Sequence, residues 1–364
     1  MNILITGADG FVGKNLITQL SYLKKNISTI NKKTSHKDLA LKINKADVIF
    51  HLAGSNREKN IKNFTKNNVD FTKTVSQLLE SSKKKIKIIF ASTIHVNQNS
   101  IYGKTKKKSE EILKKIKNKK VKVIILRLPN IFGKWSKPYY NSAIATFCYR
   151  ISRGLKINEH KNKKITLYYI DDLILYLLKL IIKNPSSMVI KKFPNLKNTN
   201  LKFIIKNLNY FYQLNNNEIP QNISDDFIKK LFSTFIYFSP KSKLNTILKT
   251  NTDLRGEFVE LVKSKKIGQF SILKINPKKE RGDHFHNTKI EYFFVLSGIV
   301  KFYYKNLFNN EKNSFIIKDS NIKRVTTIPG VLHKIKNLGS RVALLAIWTN
   351  ELHDVKKPDT YKLR

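Results

Sequence analysis

Three sets of residues in this chain have types and spacings that could do chemistry. The first is Gly7, Gly10 and Gly13 in GADGFVG, directly after the apolar run Ile3–Thr6. Glycines there permit a tight turn and let a pyrophosphate approach the following helix N-terminus, whose amides and dipole favour anions. The second is Tyr102-Gly103-Lys104-Thr105-Lys106, with Ala91-Ser92-Thr93 upstream. A spacing of four puts Tyr102 and Lys106 on one helical face. An ammonium beside a phenol lowers its pKa, which makes the phenol a usable proton donor near neutrality. The third is His284-Phe285-His286, then Glu291, then His333. Residues two apart on a strand face the same side, so His284 and His286 converge. Three imidazoles and a carboxylate suit Zn, Fe, Mn or Ni; the residue types do not choose between them, and Zn is the first expectation.

These groups need elements to hold them. Up to about Pro240 the chain alternates short β-branched runs (Ile3–Thr6, Ile27–Ile30, Val48–Leu52, Ile86–Ala91, Val121–Leu126) with helical patterns at Phe11–Leu23, Lys62–Leu79 and Tyr102–Ile116. Leu173–Ile182 and Leu201–Tyr212 read as later helices of the same domain. Such alternation predicts an α/β fold with a doubly wound parallel sheet. From Phe258 short strands dominate: Phe258–Val262, Phe270–Ile275, Tyr292–Leu296, Ile299–Tyr304, Phe315–Ile317, Val325–Ile328 and Ala343–Trp348. With Asn276-Pro277, Ser297-Gly298 and Pro329-Gly330 as turns, this predicts an all-β barrel or jelly roll. The expected domains are 1–246 and 247–364.

Composition bounds the rest. The 364 residues carry 70 basic against 25 acidic side chains, a formal charge of +45. That balance first suggests nucleic acid or an anionic membrane. Arg occurs only nine times, however, and a reader of bases or phosphates would favour its fork. The excess is also diffuse, +33 before residue 247 and +12 after it, with no basic arm. Abundant Lys, Asn and Ile, all with A/T-rich codons, fit a surface set by genome composition; an acidic-polymer partner is the competing reading. One cysteine, Cys148, excludes an internal disulfide and a multi-thiolate zinc site. MNILITG has no export signal, and apolar stretches such as Leu173–Leu178 are far short of a span. A cytoplasmic protein without integral membrane contact is expected, with proximity to anionic inner-membrane surfaces left open.

Family resemblance adds roles. G-x-x-G-x-x-G resembles the extended branch of the short-chain dehydrogenase/reductases, and His51-Leu52-Ala53-Gly54 resembles that branch's cofactor-lining HLAA segment. Asn68-Val69 is similar to its N-V element. The resemblance implies cofactor contacts from Gly7, Gly10, Phe11, Val12, Gly13, Leu52, Ala53, Gly54, Asn68, Tyr102 and Lys106. It also implies a catalytic hydroxyl at Thr93, with Ser92 as alternative, acting with Tyr102 and Lys106. Where an NAD enzyme places an acid on the adenosine ribose, this chain has Asn31-Lys32-Lys33-Thr34. Lys32 and Lys33 attract a 2′-phosphate, which favours NADPH. The loop from Thr93 to Tyr102 is shorter than usual for the branch. H-x-H-x4-E-x6-G from His284 to Gly298 and H-x3-N from His333 to Asn337 resemble the two cupin motifs, with Lys278 in place of the leading glycine.

With RLPNIFGKW (Arg127–Trp135), KPYYNSAIATFCYRI (Lys137–Ile151), YIDDL (Tyr169–Leu173) and PDTYKL (Pro358–Leu363), the chain resembles the CapF-type bifunctional UDP-sugar enzymes of capsule synthesis. In that family a metal-binding cupin epimerises carbon 3 of a UDP-linked 2-acetamido-2,6-dideoxy-4-keto hexose. The reductase domain then reduces the 4-ketone with NADPH. The implied product is UDP-N-acetyl-6-deoxy-L-talosamine, leading to UDP-N-acetyl-L-fucosamine. The resemblance nominates Asn130, Lys134, Asn141 and Arg150 for the sugar nucleotide, and implies a homodimer. Lys289 and Tyr292 are the nominees for moving the C3 proton. Two other readings compete: a single-activity reductase or epimerase with a structural cupin, and a non-enzymatic basic polyanion-binding protein.

Overall fold

A computed structural model describes residues 1–31, 33–57, 60–140, 142–157, 162–183, 186–354, 356 and 358–362. The chain forms two compact units, Met1–Tyr212 with Lys230–Ser239, and Gln213–Lys229 with Pro240–Arg364.

In the first unit the alternation becomes β1 (Asn2–Thr6), α1 (Phe11–Tyr22), β2 (Asn26–Ile30), α2 (His36–Lys45) and β3 (Val48–His51). A short α3 (Ile61–Phe64) runs through a π-helical turn, Thr65–Asp70, into α4 (Phe71–Glu80). Then come β4 (Ile86–Thr93), α5 (Ile101–Lys114), β5 (Val121–Leu128), β6 (Asn130–Phe132), α6 (Ala143–Ile151), β7 (Lys164–Tyr169), α7 (Ile170–Ile182), β8 (Met188–Ile190), β9 (Lys197–Asn200) and α8 (Leu201–Gln213). The last helix, α9 (Asp226–Phe238), has its C-terminal part here and its first residues in the second unit.

Six parallel strands lie in the order β2-β1-β3-β4-β5-β8. Successive strand residues point to opposite faces, so an apolar run covered on both sides must feed two cores. Ile3, Ile5, Phe50 and Ile89 pack with Leu16 and Leu20 of α1 and Leu173, Ile174 and Leu177 of α7. Leu4, Ile49, Ile88 and Phe90 pack on the other face with Leu39 and Ile43 of α2, Val75 and Leu79 of α4 and Leu113 of α5. Because β2 and β3 flank β1 on opposite sides, a crevice opens at the carboxyl ends of β1 and β3. A small sheet, β6-β7-β9, carries Asn130 at the start of β6.

The second unit is β-rich. It contains β10 (Thr250–Asp253), β11 (Gly256–Ser264), β12 (Gly268–Ile275), β13 (Glu280–His284), β14 (Glu291–Ser297), β15 (Ile299–Asn306), β16 (Lys312–Lys318), β17 (Arg324–Thr326), β18 (Val331–Asn337) and β19 (Ala343–Thr349). They form two antiparallel sheets, β10-β11-β12-β19-β14-β17 and β13-β18-β15-β16. One core takes residues from both: Leu273, Ile275, Phe293, Val295 and Leu345 from the first, and Val300, Phe302, Ile317 and Ile335 from the second. Residues near the end of the chain return to β13. Phe285 and Tyr361 exchange backbone hydrogen bonds at 3.0 Å in both directions, with their rings stacked at 5.3 Å.

Candidate functional site

At the crevice the chain leaves β1 through Gly7 at φ +73° and enters α1 at Gly10, whose N–H donates to Gly7 O at 3.0 Å. A Cβ on Gly13 would lie 2.3 Å from Gly7 O, and one on Gly7 would lie 2.7 Å from Ala53 N. The turn is therefore tight against both α1 and the end of β3. Among the described residues no side chain caps α1, which leaves its first amides open to an anion. A cleft of about 550 Å³ opens here. Gly7, Gly10, Phe11, Val12, Gly13, Leu52 and Gly54 line it, together with Thr93, Tyr102 and Lys106. This cradle, with its bare amides, fits a nicotinamide dinucleotide.

Ser100 caps α5 by accepting the Gly103 N–H at 3.1 Å, which sets Tyr102 in the first turn and Lys106 one turn on. Lys106 is 4% exposed; its Nζ donates to Ala91 O at 2.7 Å and lies 4.5 Å from the Phe90 ring centre. Burial lowers its pKa to about 8, against the opposing pull of Glu110. Burial also pushes the Tyr102 phenol up to about 12. This differs from the expected lowering, because Lys106 directs its ammonium to a backbone carbonyl. In the free protein Tyr102 is thus a protonated donor.

The two candidate hydroxyls at the end of β4 have different partners. Ser92 Oγ donates to Glu110 Oε1 at 2.6 Å, and Arg127 holds the same carboxylate with Nη2 to Oε2 at 2.6 Å. Thr93 Oγ1 accepts the His95 N–H at 3.2 Å. Its hydroxyl hydrogen stays available to the cleft, which Thr93 shares with Tyr102.

Asn68 sits on the π-helical turn, 2% exposed. Its Oδ1 accepts the Ser55 N–H at 2.7 Å, and its Nδ2 donates to Ser55 O at 2.9 Å and Thr105 Oγ1 at 3.1 Å. It braces the segment after β3 against α5. Ala53 donates its N–H to Thr6 Oγ1 at 3.2 Å. Lys33 follows β2 in an exposed turn, with its N–H on Asn31 Oδ1 at 3.0 Å; Lys32 lies outside the described residues. Of the sugar-nucleotide nominees, Asn130 lines the cleft and donates to Thr166 O at 3.3 Å. Lys134 is paired with Asp171, and Arg150 closes α6 by donating to Lys156 O; neither lines the cleft. Asn141 lies outside the described residues. His95, Trp135, Lys137 and Tyr140 also line the cleft; the last three fall in the segments RLPNIFGKW and KPYYNSAIATFCYRI, and none is among the nominated site residues. Trp135 has φ +65°, a left-handed conformation uncommon for a bulky residue. His95, two residues beyond Thr93, was open to discovery from its position alone. Its Nδ1 is buried without a hydrogen-bond partner among the described residues, and burial lowers its pKa.

In the β-rich unit His284 and His333 oppose each other on β13 and β18, across a bulge that leaves Asp283 at φ +64°. His286 follows β13 and Glu291 opens β14. The ring centres of His284, His286 and His333 are 4.7–5.2 Å apart. Donor atoms of the three and of Glu291 all lie within 4.8 Å of one another. His333 Nε2 is 3.1 Å and His286 Nε2 3.3 Å from Glu291 Oε2. Burial, then the neighbouring His333, lowers the His284 pKa to about 4. Burial would raise the Glu291 pKa, but His286 and His333 outweigh it and hold the carboxyl well below its usual range. Neutral imidazole and ionised carboxylate are the forms a cation needs. Among the described residues His333 Nδ1 is buried without a hydrogen-bond partner, and His286 Nε2 meets only the Glu291 carboxylate, outside good hydrogen-bond geometry. This donor set fits one divalent metal.

Around it, the Asp359 carboxylate accepts the N–H groups of Asn287, Thr288 and Lys289 at 2.7–3.2 Å, and the Asp359 carbonyl bonds His286 Nδ1. Lys289 is 5% exposed, with its Nζ 3.5 Å from Thr360 Oγ1. Tyr292 is on the opposite face of β14 from Glu291, packed on Trp348 with Arg324 over its ring. Asn337 is structural: its amide donates to Ile275 O and Arg341 O, both at 2.8 Å.

Among the described residues no helix is long and apolar enough to cross a membrane. The chain is 32% identical, over 99% of its length and 98% of the relative's, to a UDP-2-acetamido-2,6-beta-L-arabino-hexul-4-ose reductase of Pseudomonas aeruginosa. The crystal structure of the capsular polysaccharide assembling protein CapF from Staphylococcus aureus matches with a TM-score of 0.89 at 33% identity, covering all of both chains. A UDP-glucuronic acid 4-epimerase from Bacillus cereus solved with NAD matches 65% of this chain and 98% of its own, at a TM-score of 0.55 and 19% identity; that likeness shows the fold alone. The polysaccharide biosynthesis C-terminal domain family matches residues 251–361. The NAD dependent epimerase/dehydratase family matches residues 3–191, and with that match and the full-length likeness to the reductase and CapF, the chain belongs to the CapF-type branch of this family.

Proposed function

We propose that the protein is a bifunctional UDP-sugar enzyme whose first unit, expected to span 1–246, reduces the 4-ketone of a UDP-2-acetamido-2,6-dideoxy-hexose. The observation that carries this reading is the cleft in which Thr93, Tyr102 and Lys106 meet the glycine turn. The reductase relative supports it. NADPH, when bound, supplies the hydride. Thr93 and Tyr102 hold the ketone oxygen by hydrogen bonds that strengthen as it becomes an alkoxide, and Tyr102 gives up the proton that the alkoxide takes. Lys106, charged below pH 8, favours the tyrosinate left behind and reaches towards the nicotinamide ribose. The free amides of α1 take the pyrophosphate, and Lys33 with Lys32 favours a 2′-phosphate. Asn130, at the cleft wall, addresses the sugar nucleotide.

The β-rich unit, 247–364 in this reading, is a cupin, and its two packed antiparallel sheets support that assignment. His284, His286, Glu291 and His333 hold one divalent metal, with Zn first. When bound, it polarises the ketone and acidifies the neighbouring C3–H. Lys289, buried close to these ligands, moves the C3 proton. Epimerisation followed by reduction gives UDP-N-acetyl-6-deoxy-L-talosamine, on the way to UDP-N-acetyl-L-fucosamine for capsule or O-antigen. The enzyme works in the cytoplasm as a homodimer.

The test is incubation with the UDP-4-keto sugar in deuterated water. Deuterium is expected at C3 without cofactor, and reduction at C4 only with NADPH. Chelation should abolish exchange yet spare reduction of the already epimerised sugar. Reduction without any C3 exchange would reject the epimerase half.

A further inference from the structure

One charged side chain inside the β-rich unit has incomplete bonding. Arg281 of β13 stands opposite Ile335 of β18, a core residue. Its neighbour Glu280 points the other way, to Lys334 and Lys336 at 3.1 Å each. Opposed residues share one face of a ladder, so Arg281 projects to the same inner face as His284 and His333. Those two oppose each other one rung further along, beyond the bulge. A rung is two residues, about 7 Å along a strand.

One guanidinium nitrogen, Nη1, donates to Asp253 Oδ2 at 2.9 Å. The same carboxylate also takes Arg255, whose Nη2 lies 2.7 Å away. One negative charge thus serves two guanidiniums, and the spot keeps a net positive charge. The remaining nitrogens of Arg281, Nε and Nη2, are buried and meet no acceptor among the described residues. They form the edge of a guanidinium that grips two oxygens of one carboxylate or phosphate side by side. Burying a cation with two donors unmet costs stability, and an apolar residue of similar volume at this inward position would be tolerated better.

We infer that Arg281 is an oxyanion-binding residue of the β-rich unit, taking the diphosphate of the nucleotide sugar while the His/Glu set faces its ketone. The inference rests on the UDP-sugar reading above. In a UDP-linked hexose the diphosphate hangs from C1, across the ring from C4. One rung of offset between Arg281 and the histidines is comparable with that span.

The experiment uses the full chain loaded with Mn²⁺, with the phosphorus resonances of UDP followed by NMR. Paramagnetic relaxation reports only phosphates close to the metal. Wild type should relax both phosphorus resonances strongly, and the Zn²⁺-loaded protein should not. Arg281→Gln should lose the effect with metal content unchanged. Arg281→Lys, which keeps the charge but not the fork, should weaken UDP at this site by roughly 10- to 100-fold and covers the case where the Gln variant fails to fold. Pyrophosphate should displace UDP, and UMP should do so poorly. Equal relaxation in wild type and both variants would overturn the assignment, as would UMP competing as well as pyrophosphate. If wild type shows no C3 exchange while Arg281-dependent relaxation persists, the epimerase reading falls and the oxyanion site stands. If exchange proceeds with the same KM in both variants, the reverse holds.

Discussion

Ser92 and Thr93 are adjacent hydroxyls on one strand end, and their bonds assign them different work. Ser92 borders the cleft but donates to Glu110, a carboxylate 1% exposed that Arg127 also grips, so its hydroxyl is tied into a buried structural triad. Thr93 keeps its hydrogen for a ligand. Thr93→Ala is therefore expected to lower kcat for ketone reduction by about 10²–10³-fold, the usual loss of one alkoxide-stabilising donor. Ser92→Ala should act on thermal stability far more than on kcat; steady-state kinetics with a melting curve separates the two, and equal kcat losses would sink the assignment. Lys106 offers a second test. Its folded pKa is lowered from 10.5 to about 8, so between those pH values the unfolded chain holds a proton that the folded chain has released. Stability contributed by this group accordingly rises with pH across that window, and below pH 8 the buried charge costs stability. Lys106→Met should abolish reduction yet raise Tm at pH 7 by roughly 5 °C, with the gain shrinking towards pH 10. Calorimetry at the two pH values would show it, and a lower Tm at pH 7 contradicts the sign. In wild type, kcat/KM for reduction should decline as pH passes 8.

Irregularities within elements aim several of these side chains. The bulge at Gly282–His284 turns His284 towards His333, and Gly282 sits at φ +91°, where an added Cβ would lie 2.8 Å from His333 O. Gly282→Ala should weaken metal affinity about 10–100-fold by tilting the ligand pair, with reduction by the first unit unchanged. Competitive metal titration measures it; unaltered affinity would show the bulge to be dispensable. This scale also marks where the sequence stops being legible. The apolar runs of β1, β3, β4 and β5 and the glycine turn announced the parallel sheet, because strands buried on both faces read as continuous hydrophobic runs. ERGDH, the whole of β13, has no apolar residue, so the strand carrying His284 left no periodic signal although its histidines did. The π-helical turn that seats Asn68 lies inside Lys62–Leu79, which reads from sequence as one helical stretch, so it has no separate signal. The bracing of His286 by Asp359 joins residues 73 apart, beyond any local pattern. Lys134 and Arg150, nominated by the family resemblance, each have a partner within the protein, Asp171 and the Lys156 carbonyl.

Across the whole molecule several of the scarce carboxylates are shared. Glu110 pairs with Arg127 and Lys114, Glu280 with Lys334 and Lys336, and Asp253 with Arg255 and Arg281. With 25 acids against 70 bases most surface lysines must face solvent, so the far field around the enzyme is positive. Both proposed ligands, NADPH and a UDP-sugar, are anions. Their association rates should fall several-fold between 50 and 500 mM NaCl, as the Debye length shrinks from about 14 to about 4 Å. Stopped-flow NADPH binding tests this, and a flat salt profile would leave the charge without a role in capture.

The return of the chain from Pro358 to Tyr361 onto β13 has a consequence for the order of assembly. Synthesis runs from the N-terminus, and domains fold as they emerge. The glycine turn, the triad and all four proposed metal ligands are made before Asp359, whose carbonyl and carboxylate fix His286 and the turn after it. A nascent chain would thus hold a finished dinucleotide cradle while its metal ligands still lacked their brace. Firm metal loading at the proposed site becomes a late event in biogenesis, gated by the arrival of a handful of residues near the end of the chain.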